Sequence, residues 1–556
     1  MIGSFVALAL LAGQKLAMNV NLKDGDVISG EKKFVVSVQS KNPVTQVELY
    51  VGSESPRIDT SVPYEFTLDT LGEDDGDLKI TFKAYTTEGE NISKAITVKI
   101  DNGVGKGVDF HLNNAKEALT NSNWDDAIAS ARLALKADAK SSMGKLYLAR
   151  GYFGKGVLDK AQINAEDAAS LDPKNTEALD MIAAINLTRV FSTINRGGDV
   201  KDTNTVIQDG LKAAVEARRK VLDMQMDSFG EVNDSNRIAY VDLALKAGRY
   251  STAIGQLAQP FRVDPKNNAV ADRLIYAYLR ANRFVDAREA LDNVRRYGSF
   301  DAYGNALDAV LQTELGNSQK ADDALREGIL NDPDDLGVKS AQAYIALKRG
   351  RTDVLQQLAK SLTQNESQRT EVNYFASALY NRLQDYPTAR KYLQRSLLAE
   401  PTNYDMYIEA ANQVLGGAVR GTMDKKSAEA SVAYAKSLYE AALLANDSSS
   451  PALVGITLAN LYQGNNADAL KYGEAAVKAA PQYAAAHYAY SAAATANATG
   501  SNPMANQLRD LAQSENAKAG KIDAVNLAGR ELPKVQQAWI YFSTGGRAVV
   551  LVPPGK

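Results

Sequence analysis

The sequence contains no cysteine and only two histidines, His111 and His487, among 556 residues. Without cysteine the chain has no disulfide, no thiolate metal site, no cysteine nucleophile and no lipid-modified N-terminal cysteine. Two histidines leave almost no room for a metal site or a catalytic triad built on imidazole. We therefore predict a non-enzymatic protein with no catalytic residue, no metal and no cofactor.

The chain also lacks a bias of charge. It carries 63 basic and 66 acidic residues, which gives a formal net charge of −3. A balanced chain has no general electrostatic attraction to nucleic acid or to an anionic membrane surface. The composition therefore predicts no nucleic-acid partner.

Long apolar runs are absent except at the start of the chain. Residues 1–18 contain a run of about ten apolar residues, which suits a secretory signal peptide and is too short for a typical transmembrane helix. We expect a signal peptide, a periplasmic, secreted or cell-envelope location, and no membrane span in the mature chain. The segment lacks Lys and Arg before its apolar run, and its cleavage site near Ala17 is poor. The alternative is an apolar N-terminal strand or a misassigned start, in a cytoplasmic protein.

Residues 19–102 have the pattern of an all-β domain. Short runs rich in Val, Ile, Tyr and Phe alternate with Gly, Asp, Asn and Pro at intervals typical of a β-sandwich. The order Val47–Val51, Pro63–Phe66 and Lys83–Tyr85 resembles the bacterial immunoglobulin-like domains of envelope proteins. That resemblance implies a sandwich that acts as a spacer or an adhesive module.

Two short polar segments flank the end of this domain. The acidic turn Glu73–Asp77 is compatible with a calcium site, but a solvated hairpin turn is the simpler interpretation. Residues 103–107 are rich in glycine and indicate a flexible linker.

From Val108 onward the sequence repeats with a period of 34 residues. Consecutive closing prolines are 68 residues apart, twice that period, except where insertions near 192–233 and 416–427 add 24 and 12 residues. These prolines are Pro173, Pro265, Pro333, Pro401 and Pro481.

Small residues recur inside each repeat. In the repeat that begins at Ser142 they fall at Ala149, Ala161, Ala165 and Ala168. This spacing, together with the closing proline, resembles the tetratricopeptide repeat (TPR), a unit of two closely packed helices. The resemblance implies about eleven units over residues 108–527, stacked into a right-handed superhelix.

In TPR proteins the first helix of each unit lines a concave groove that binds a peptide or protein. The groove-facing places of the family pattern are rich in Tyr and Arg here, and these side chains anchor protein interfaces. The alternative for any one of them is packing between neighbouring helices. The Lys and Asn clamp that some TPR proteins use for a terminal carboxylate is not found. The predicted partner-binding residues are Arg150, Phe153, Asp272, Tyr276, Arg280, Tyr303, Tyr344, Lys348, Tyr374, Arg382, Tyr462 and Tyr488.

Residues 528–556 break the repeat. Trp539–Ser543 and Arg547–Val552 flank Thr544–Gly546, a pattern that predicts a C-terminal β-hairpin. Two strands alone are marginally stable in water, so the hairpin should dock on something. It would either cap the end of the solenoid or add a strand to a partner.

The predicted fold class is therefore multidomain: an N-terminal all-β immunoglobulin-like sandwich, an all-α TPR solenoid and a short C-terminal β-hairpin. We hypothesise a scaffold of the cell envelope that binds a peptide or protein partner in the groove. One alternative is a structural protein that self-associates into an envelope assembly. A less favoured alternative is an enzyme or a carbohydrate-binding protein.

Overall fold

We analysed a computed structural model in which residues 16–196, 200–419, 421, 423–500, 502–523, 526–544 and 549–554 are described. Residues 1–15, most of the predicted signal segment, lie outside this part of the chain. The chain divides into two compact units, residues 1–181 and 182–556.

The first unit begins with a β region of two sheets. One sheet has the strand order β1-β3-β6 and the other the order β2-β8-β7-β4-β5. Side chains alternate between a buried and an exposed face, as in β6, and Phe34, Phe66 and Phe82 pack in one core. The strands within the described residues are β1 (Ala17–Val20), β2 (Val27–Ile28), β3 (Glu31–Gln39), β4 (Val44–Val51), β5 (Arg57–Asp59), β6 (Tyr64–Asp69), β7 (Gly76–Thr86) and β8 (Asn91–Ile100).

The β region reaches into the segment predicted as a signal peptide. Ala17 and Met18 lie in β1, where Met18 pairs with Val38 of β3 and is only 7% exposed. The β region therefore begins by residue 17 rather than at residue 19. Its likeness to immunoglobulin-like domains remains a prediction.

The acidic turn holds the end of the β region to the chain that follows. Asp75 accepts hydrogen bonds from the backbone N–H groups of Asn102 and Val104, at 2.8 and 3.0 Å. Asp74 pairs with Lys136 at 3.3 Å, and Lys136 also donates to the carbonyl of Glu73. This turn is thus committed to protein groups, which gives it a structural role.

The helices of the first unit begin at a constant interval. The first helices of successive pairs start at Val108, Ser142 and Thr176, which are 34 residues apart. The predicted small residues Ala149, Ala161, Ala165 and Ala168 are all fully buried. These helices are α1 (Val108–Thr120), α2 (Trp124–Ala137), α3 (Ser142–Gly154), α4 (Leu158–Leu171) and α5 (Thr176–Arg196), whose last part belongs to the second unit.

The same interval continues in the second unit, where first helices start at residues 268, 302, 336, 370 and 404 and again at 450 and 484. Side-chain caps fix several of these starts. Asp301 and Asp335 each accept a backbone N–H three residues on, from Gly304 and Val338, at 2.8 Å. The helices are α6 (Val200–Asp227), α7 (Arg237–Lys246), α8 (Tyr250–Val263), α9 (Asn268–Arg280), α10 (Phe284–Tyr297), α11 (Ala302–Glu314), α12 (Ser318–Asn331), α13 (Leu336–Arg349), α14 (Thr352–Asn365), α15 (Thr370–Arg382), α16 (Tyr386–Ala399), α17 (Tyr404–Val419), α18 (Lys425–Ala445), α19 (Ser450–Gln463), α20 (Asn466–Ala479), α21 (Ala484–Asn497), α22 (Ala505–Ile522) and α23 (Lys534–Thr544).

The described helices α1–α22 thus form eleven consecutive pairs, and the fold is a TPR-like solenoid that follows the β region. We call the first helix of each pair an A-helix and the second a B-helix. The extra residues of the two insertions lengthen helices, since α5, α6 and α18 have 21, 28 and 21 residues. A proline inside a helix usually kinks or shortens it, but α8, which contains Pro260, keeps the 14 residues of α10 and α12.

Several A-helices of the second unit are buried on nearly every side. Nine of the ten residues from Val270 to Leu279 of α9 are buried, and the run Ser450–Asn460 of α19 is buried without interruption. A helix that is buried all round needs cover on two faces. One face packs on neighbouring helices, and the C-terminal residues of the chain supply cover for the other, as the site below shows.

The predicted C-terminal β-hairpin is wrong. Residues 534–544 form helix α23, and no strand is assigned to the described residues after it. Val535, Ala538, Trp539 and Phe542 follow the i, i+3, i+4, i+7 spacing of a helix face, and the last three are buried. The β-branched and aromatic residues favoured strands locally, but packing of this face against α19 and α21 determines the helix.

Repeats that are distant in sequence also meet within the second unit. Arg218 of α6 forms two hydrogen bonds with the Glu400 carboxylate after α16, at 2.9 and 3.0 Å. Burial tends to raise the pKa of Glu400, but the hydrogen bonds and charge of Arg218, with Lys246 nearby, outweigh it and lower that pKa. Tyr250 of α8 is hydrogen-bonded to Tyr404 of α17 at 2.8 Å. These contacts join the third and fourth repeats to the eighth and ninth.

Candidate functional site

The A-helices of the second unit hold the last described residues of the chain. We call Val549–Pro554 the tail, and we call the surface formed by Tyr276, Arg280, Tyr303 and Ser340 the groove. The tail has no assigned strand or helix. It contacts the groove through main-chain groups that every peptide carries.

The groove side chains bind main-chain atoms of the tail. Tyr303 donates to the carbonyl of Val552 at 2.7 Å, and Tyr276 donates to the carbonyl of Leu551 at 3.5 Å. Arg280 donates to the carbonyl of Val549. In the opposite direction, the backbone N–H of Val552 donates to the Ser340 hydroxyl at 3.1 Å. Because these contacts use the backbone, they fix the position of the tail without reading its sequence.

The tail side chains are buried against the same helices. Val549, Val550, Leu551 and Val552 are each 2% exposed or less. Full burial of a side chain of this size stabilises a packed state by about 1.5–3 kcal/mol. The groove therefore selects for apolar residues while its polar groups bind the backbone.

Arg280 is the centre of the polar contacts. Its side chain is 5% exposed and pairs with Asp405 of α17 at 2.6 Å, and it also donates to the hydroxyls of Tyr250 and Tyr404. Burial raises the pKa of Asp405, and the charge of Arg280 only partly offsets this. One guanidinium thus joins the tail, α8, α9 and α17.

Two cavities flank the end of the tail. One, of about 410 Å³, has Glu371, Tyr404, Asp405 and Leu551 among its lining residues. The other, of about 350 Å³, is lined by the carboxylates Asp272, Asp301 and Asp335. Pro553 and Pro554 line both cavities. Pro553 is half-buried between them, whereas Val549–Val552 and Pro554 are buried.

Asp272 is a buried carboxyl beside the prolines of the tail. Burial, together with the charge of Asp301 and a hydrogen bond to it, raises the pKa of Asp272 to about 8. Asp335 adds to this effect, whereas Arg273 opposes it. At neutral pH the Asp272 carboxyl of the folded protein therefore retains a proton that the unfolded chain has released.

We predict that Asp272→Asn flattens the dependence of stability on pH. A folded pKa above the unfolded value means that stability falls as pH rises towards about 8, by up to about 1.4 kcal/mol per pH unit for one proton. Urea unfolding at pH 5.5, 7 and 8.5 measures this slope. Asp323→Asn, at an exposed position, is the control and should keep the wild-type slope. An unchanged slope in Asp272→Asn would show that this carboxyl is ionised in the folded protein.

Gly337 allows the Tyr303 ring to reach the tail. A Cβ atom at Gly337 would lie 1.9 Å from the ring of Tyr303. We predict that Gly337→Ala displaces the ring, weakens its hydrogen bond to the tail and lowers the free energy of unfolding by about 1–3 kcal/mol. Gly255→Ala is the matched control, because Gly255 lies in α8 with nothing within 4 Å of its added Cβ. Gly255→Ala should leave the free energy of unfolding unchanged or raise it by up to about 1 kcal/mol. Thermal unfolding of both variants measures the difference in stability.

The structure brings most of the predicted partner-binding residues into contact with other parts of the same chain. Asp272, Tyr276, Arg280 and Tyr303 surround the tail, as described above. Tyr344 donates to Glu314 at 2.7 Å, and Lys348 pairs with the same carboxylate at 3.0 Å. Two further tyrosines are buried as well: Tyr374 packs on Phe375, and Tyr488 donates to Asp523 and packs on Tyr541 of α23.

The remaining predicted residues are not part of this site. Arg150 and Phe153 lie on α3 of the first unit, where Arg150 pairs with Glu177 at 2.8 Å. Arg382 is half-buried at the end of α15. Tyr462 is 39% exposed on α19, and burial of part of its ring raises its pKa to about 12.

Sequence reasoning missed three groups of this site. Ser340 was not selected, although it occupies an A-helix position fully buried beside the tail. Asp405 and Tyr404 were also missed, and no spacing in the sequence connects them to Arg280, 124 and 125 residues away. Tyr404 and Asp405, at the start of α17, can be assigned to this site only when it is known that α17 contacts α9.

The described residues show neither a metal site nor a membrane span. Among them no group of three or more His, Asp or Glu side chains is arranged to hold a metal ion. No helix in this part of the chain combines the length and apolarity needed to cross a bilayer. Both histidines bind backbone carbonyls, His111 that of Gly103 at 2.8 Å and His487 that of Pro481 at 2.9 Å.

Comparison with known proteins supports the repeat architecture. No protein-family profile matches the chain. The TPR repeat-containing protein YpiA of Bacillus subtilis (strain 168) is 21% identical over 275 residues, which cover 49% of this chain. The match spans 58% of that relative, so the activity of the whole relative does not transfer.

Two solved structures align with most of the chain, each at 12% identity. The APC/C hetero-tetramer Cut9-Hcn1 aligns with 79% of this chain and 84% of its own, at a TM-score of 0.39. Yeast Tom70 aligns with 79% of this chain and 95% of its own, at a TM-score of 0.31. Because both TM-scores lie below 0.5, these alignments say nothing about function.

Proposed function

We propose that this protein is a non-enzymatic scaffold that binds a polypeptide partner along the A-helices of its second unit. One observation carries the proposal: the groove holds an apolar segment of polypeptide through backbone hydrogen bonds and buries its side chains. A surface that binds one apolar segment in this way has the chemistry to bind another. The A-helix tyrosines and Arg280 supply the donors, as expected of interface anchors.

The proposal places the protein at the cell envelope. The apolar N-terminal segment and the likeness of the β region to envelope immunoglobulin-like domains favour this location. The β region would then act as a spacer or a second contact. A fusion to a reporter that is active only outside the cytoplasm tests the location, and an inactive fusion would refute it.

The test of partner binding uses a photo-crosslinking amino acid at two positions that line the larger cavity, Lys246 and Gln368. We expect crosslinks to an extended apolar segment of another polypeptide, and we expect excess synthetic tail peptide to abolish them. Lys320, exposed on the B-helix α12, is the control position and should give no competed crosslink. Absence of any peptide-sensitive crosslink in native cells would overturn the proposal.

Self-assembly is the second candidate, and the same experiment distinguishes it. No strand is assigned to those residues of the predicted hairpin that the structure describes, and the tail lies in the groove of its own chain. Self-association would appear as crosslinks between two copies of this sequence at the same positions. Light scattering at high concentration would then show an oligomer.

A further inference from the structure

We infer that the tail competes with a partner for the groove. The partner presents an extended run of Val, Ile or Leu residues ending in proline. This run binds the groove by displacing Val549–Pro554 of the same chain. This inference rests on the proposed function, since it requires that the groove binds polypeptide. It adds the chemical class of the partner segment, and it adds that binding must include displacement of the tail.

The chemistry of the partner segment follows from the contacts that the tail makes. Carbonyl acceptors are required opposite Arg280, Tyr276 and Tyr303, and one N–H is required opposite Ser340. Any extended peptide meets these needs. The four positions equivalent to Val549–Val552 are enclosed, so a charged or polar side chain there would lose its hydration without gaining a partner. The groove thus selects consecutive apolar residues.

Proline suits the next two positions. Neither Pro553 nor Pro554 carries a backbone N–H group, so neither position requires a hydrogen-bond acceptor from the groove. Both prolines line the cavities on either side. Because the segment before a proline is biased towards extended backbone, a proline also favours the conformation that the groove binds.

Displacement needs no rearrangement of the helices. The tail belongs to no sheet, and its four backbone contacts are to side chains. A partner segment would re-form each of them with identical groups. The cavities beside Pro553 and Pro554 give it a place to begin, so exchange can proceed from the C-terminal end of the tail.

The tail competes with a partner effectively because it is covalently attached to the chain that forms the groove. A tethered segment has an effective concentration in the millimolar range when its linker permits binding. The apparent dissociation constant of a partner is then its intrinsic value divided by the fraction of chains whose groove is free. If the tail occupies about 90% of grooves or more, the partner binds at least about tenfold more weakly than it would to an empty groove.

The test measures binding of a fluorescent octapeptide with the sequence of residues 549–556 to the full-length chain. Val550→Asp places a carboxylate where the wild-type side chain is 1% exposed, and it should release the tail. We expect this variant to bind the probe at least about tenfold more tightly than the wild-type chain. Val263→Asp, at a position 75% exposed, is the control and should bind as the wild-type chain does. A probe with Asp at its second and third positions should not bind either chain.

Leu551→Ala is the second variant, because it weakens the tail without adding charge and retains the fold if Val550→Asp does not. It should also bind the probe more tightly than the wild-type chain. Equal binding of the probe to the wild-type chain and a folded variant would overturn the competition but leave the proposed function standing. No binding of the probe to a folded variant would overturn the partner class. The loss of peptide-sensitive crosslinks in cells is the separate outcome that would refute the proposed function.

Discussion

Replacing Arg280 by methionine is expected to lower the free energy of unfolding of the second unit by about 3–5 kcal/mol. Methionine retains the length and apolar stem of the side chain but removes the guanidinium. Asp405, 7% exposed, would then lie in the interior without its cation. Its Oδ1 atom already has no hydrogen-bond partner in the described part of the chain, so nothing else compensates its charge.

The loss of stability in Arg280→Met should increase as the pH rises. Burial already raises the pKa of Asp405, and removing Arg280 raises it further. A group whose folded pKa lies above its unfolded value loses stability as pH rises. The deficit of Arg280→Met relative to the wild-type chain should therefore be smaller at pH 5 than at pH 7.5. Urea unfolding at both pH values measures it.

Two further variants make this prediction specific. Arg280→Met combined with Asp405→Asn removes both charges and should recover much of the lost stability, because an uncompensated charge costs more than a missing pair. Arg283→Ala breaks an exposed pair with Asp286 one turn away and should cost only about 0–1 kcal/mol. If Arg280→Met were as mild as Arg283→Ala, the Asp405 carboxyl would have to be solvated in the folded protein.

The repeat architecture was predictable because it is local. Small residues recur within 34 positions, and closing prolines or side-chain caps mark several of the A-helix starts. The predicted start at Ser142 is where α3 begins. The rule that selects groove-facing positions found Tyr276, Arg280 and Tyr303, which lie on the tail. It did not reveal that the chain itself occupies the groove.

The tail was not predictable in the same way, for two different reasons. Its docking joins Val552 to Ser340, 212 residues apart, and no local pattern reports a contact of that range. Helix α23 is a different case. The sequence has the helical spacing of Val535, Ala538, Trp539 and Phe542, but Trp539–Ser543 also has high β propensity. Tertiary burial of the helix face outweighs that local preference.

Helix α23 and the tail form a connected cover over the A-helices. Trp539 and Phe542 belong to the same buried cluster as Val549, Val550 and Leu551. Tyr541 of α23 packs on Tyr488 of α21, with ring centroids 5.5 Å apart. The residues that cover the solenoid thus extend from the tenth and eleventh repeats to the fifth. Loosening α23 should therefore also loosen the tail.

We expect Phe542→Ala to cost about 3–5 kcal/mol in the docking of α23, because its ring is fully buried and the change leaves a cavity. The loss should appear first as local opening, since α23 is a short element near the end of the chain. Hydrogen exchange followed by mass spectrometry should show faster exchange in α23 and in the tail, with α1–α4 unchanged.

Gln536→Ala is the matched control, because Gln536 lies exposed on the same helix, and its effect should stay within about 0.5 kcal/mol. If Phe542→Ala releases the tail as well as α23, the fluorescent octapeptide should bind this variant more tightly than the control variant. Fast exchange confined to α23, with a protected tail and unchanged peptide binding, would show that the groove holds the tail by itself. The two segments would then be independent elements, and the backbone contacts of Arg280 and Tyr303 would be sufficient to retain an extended peptide.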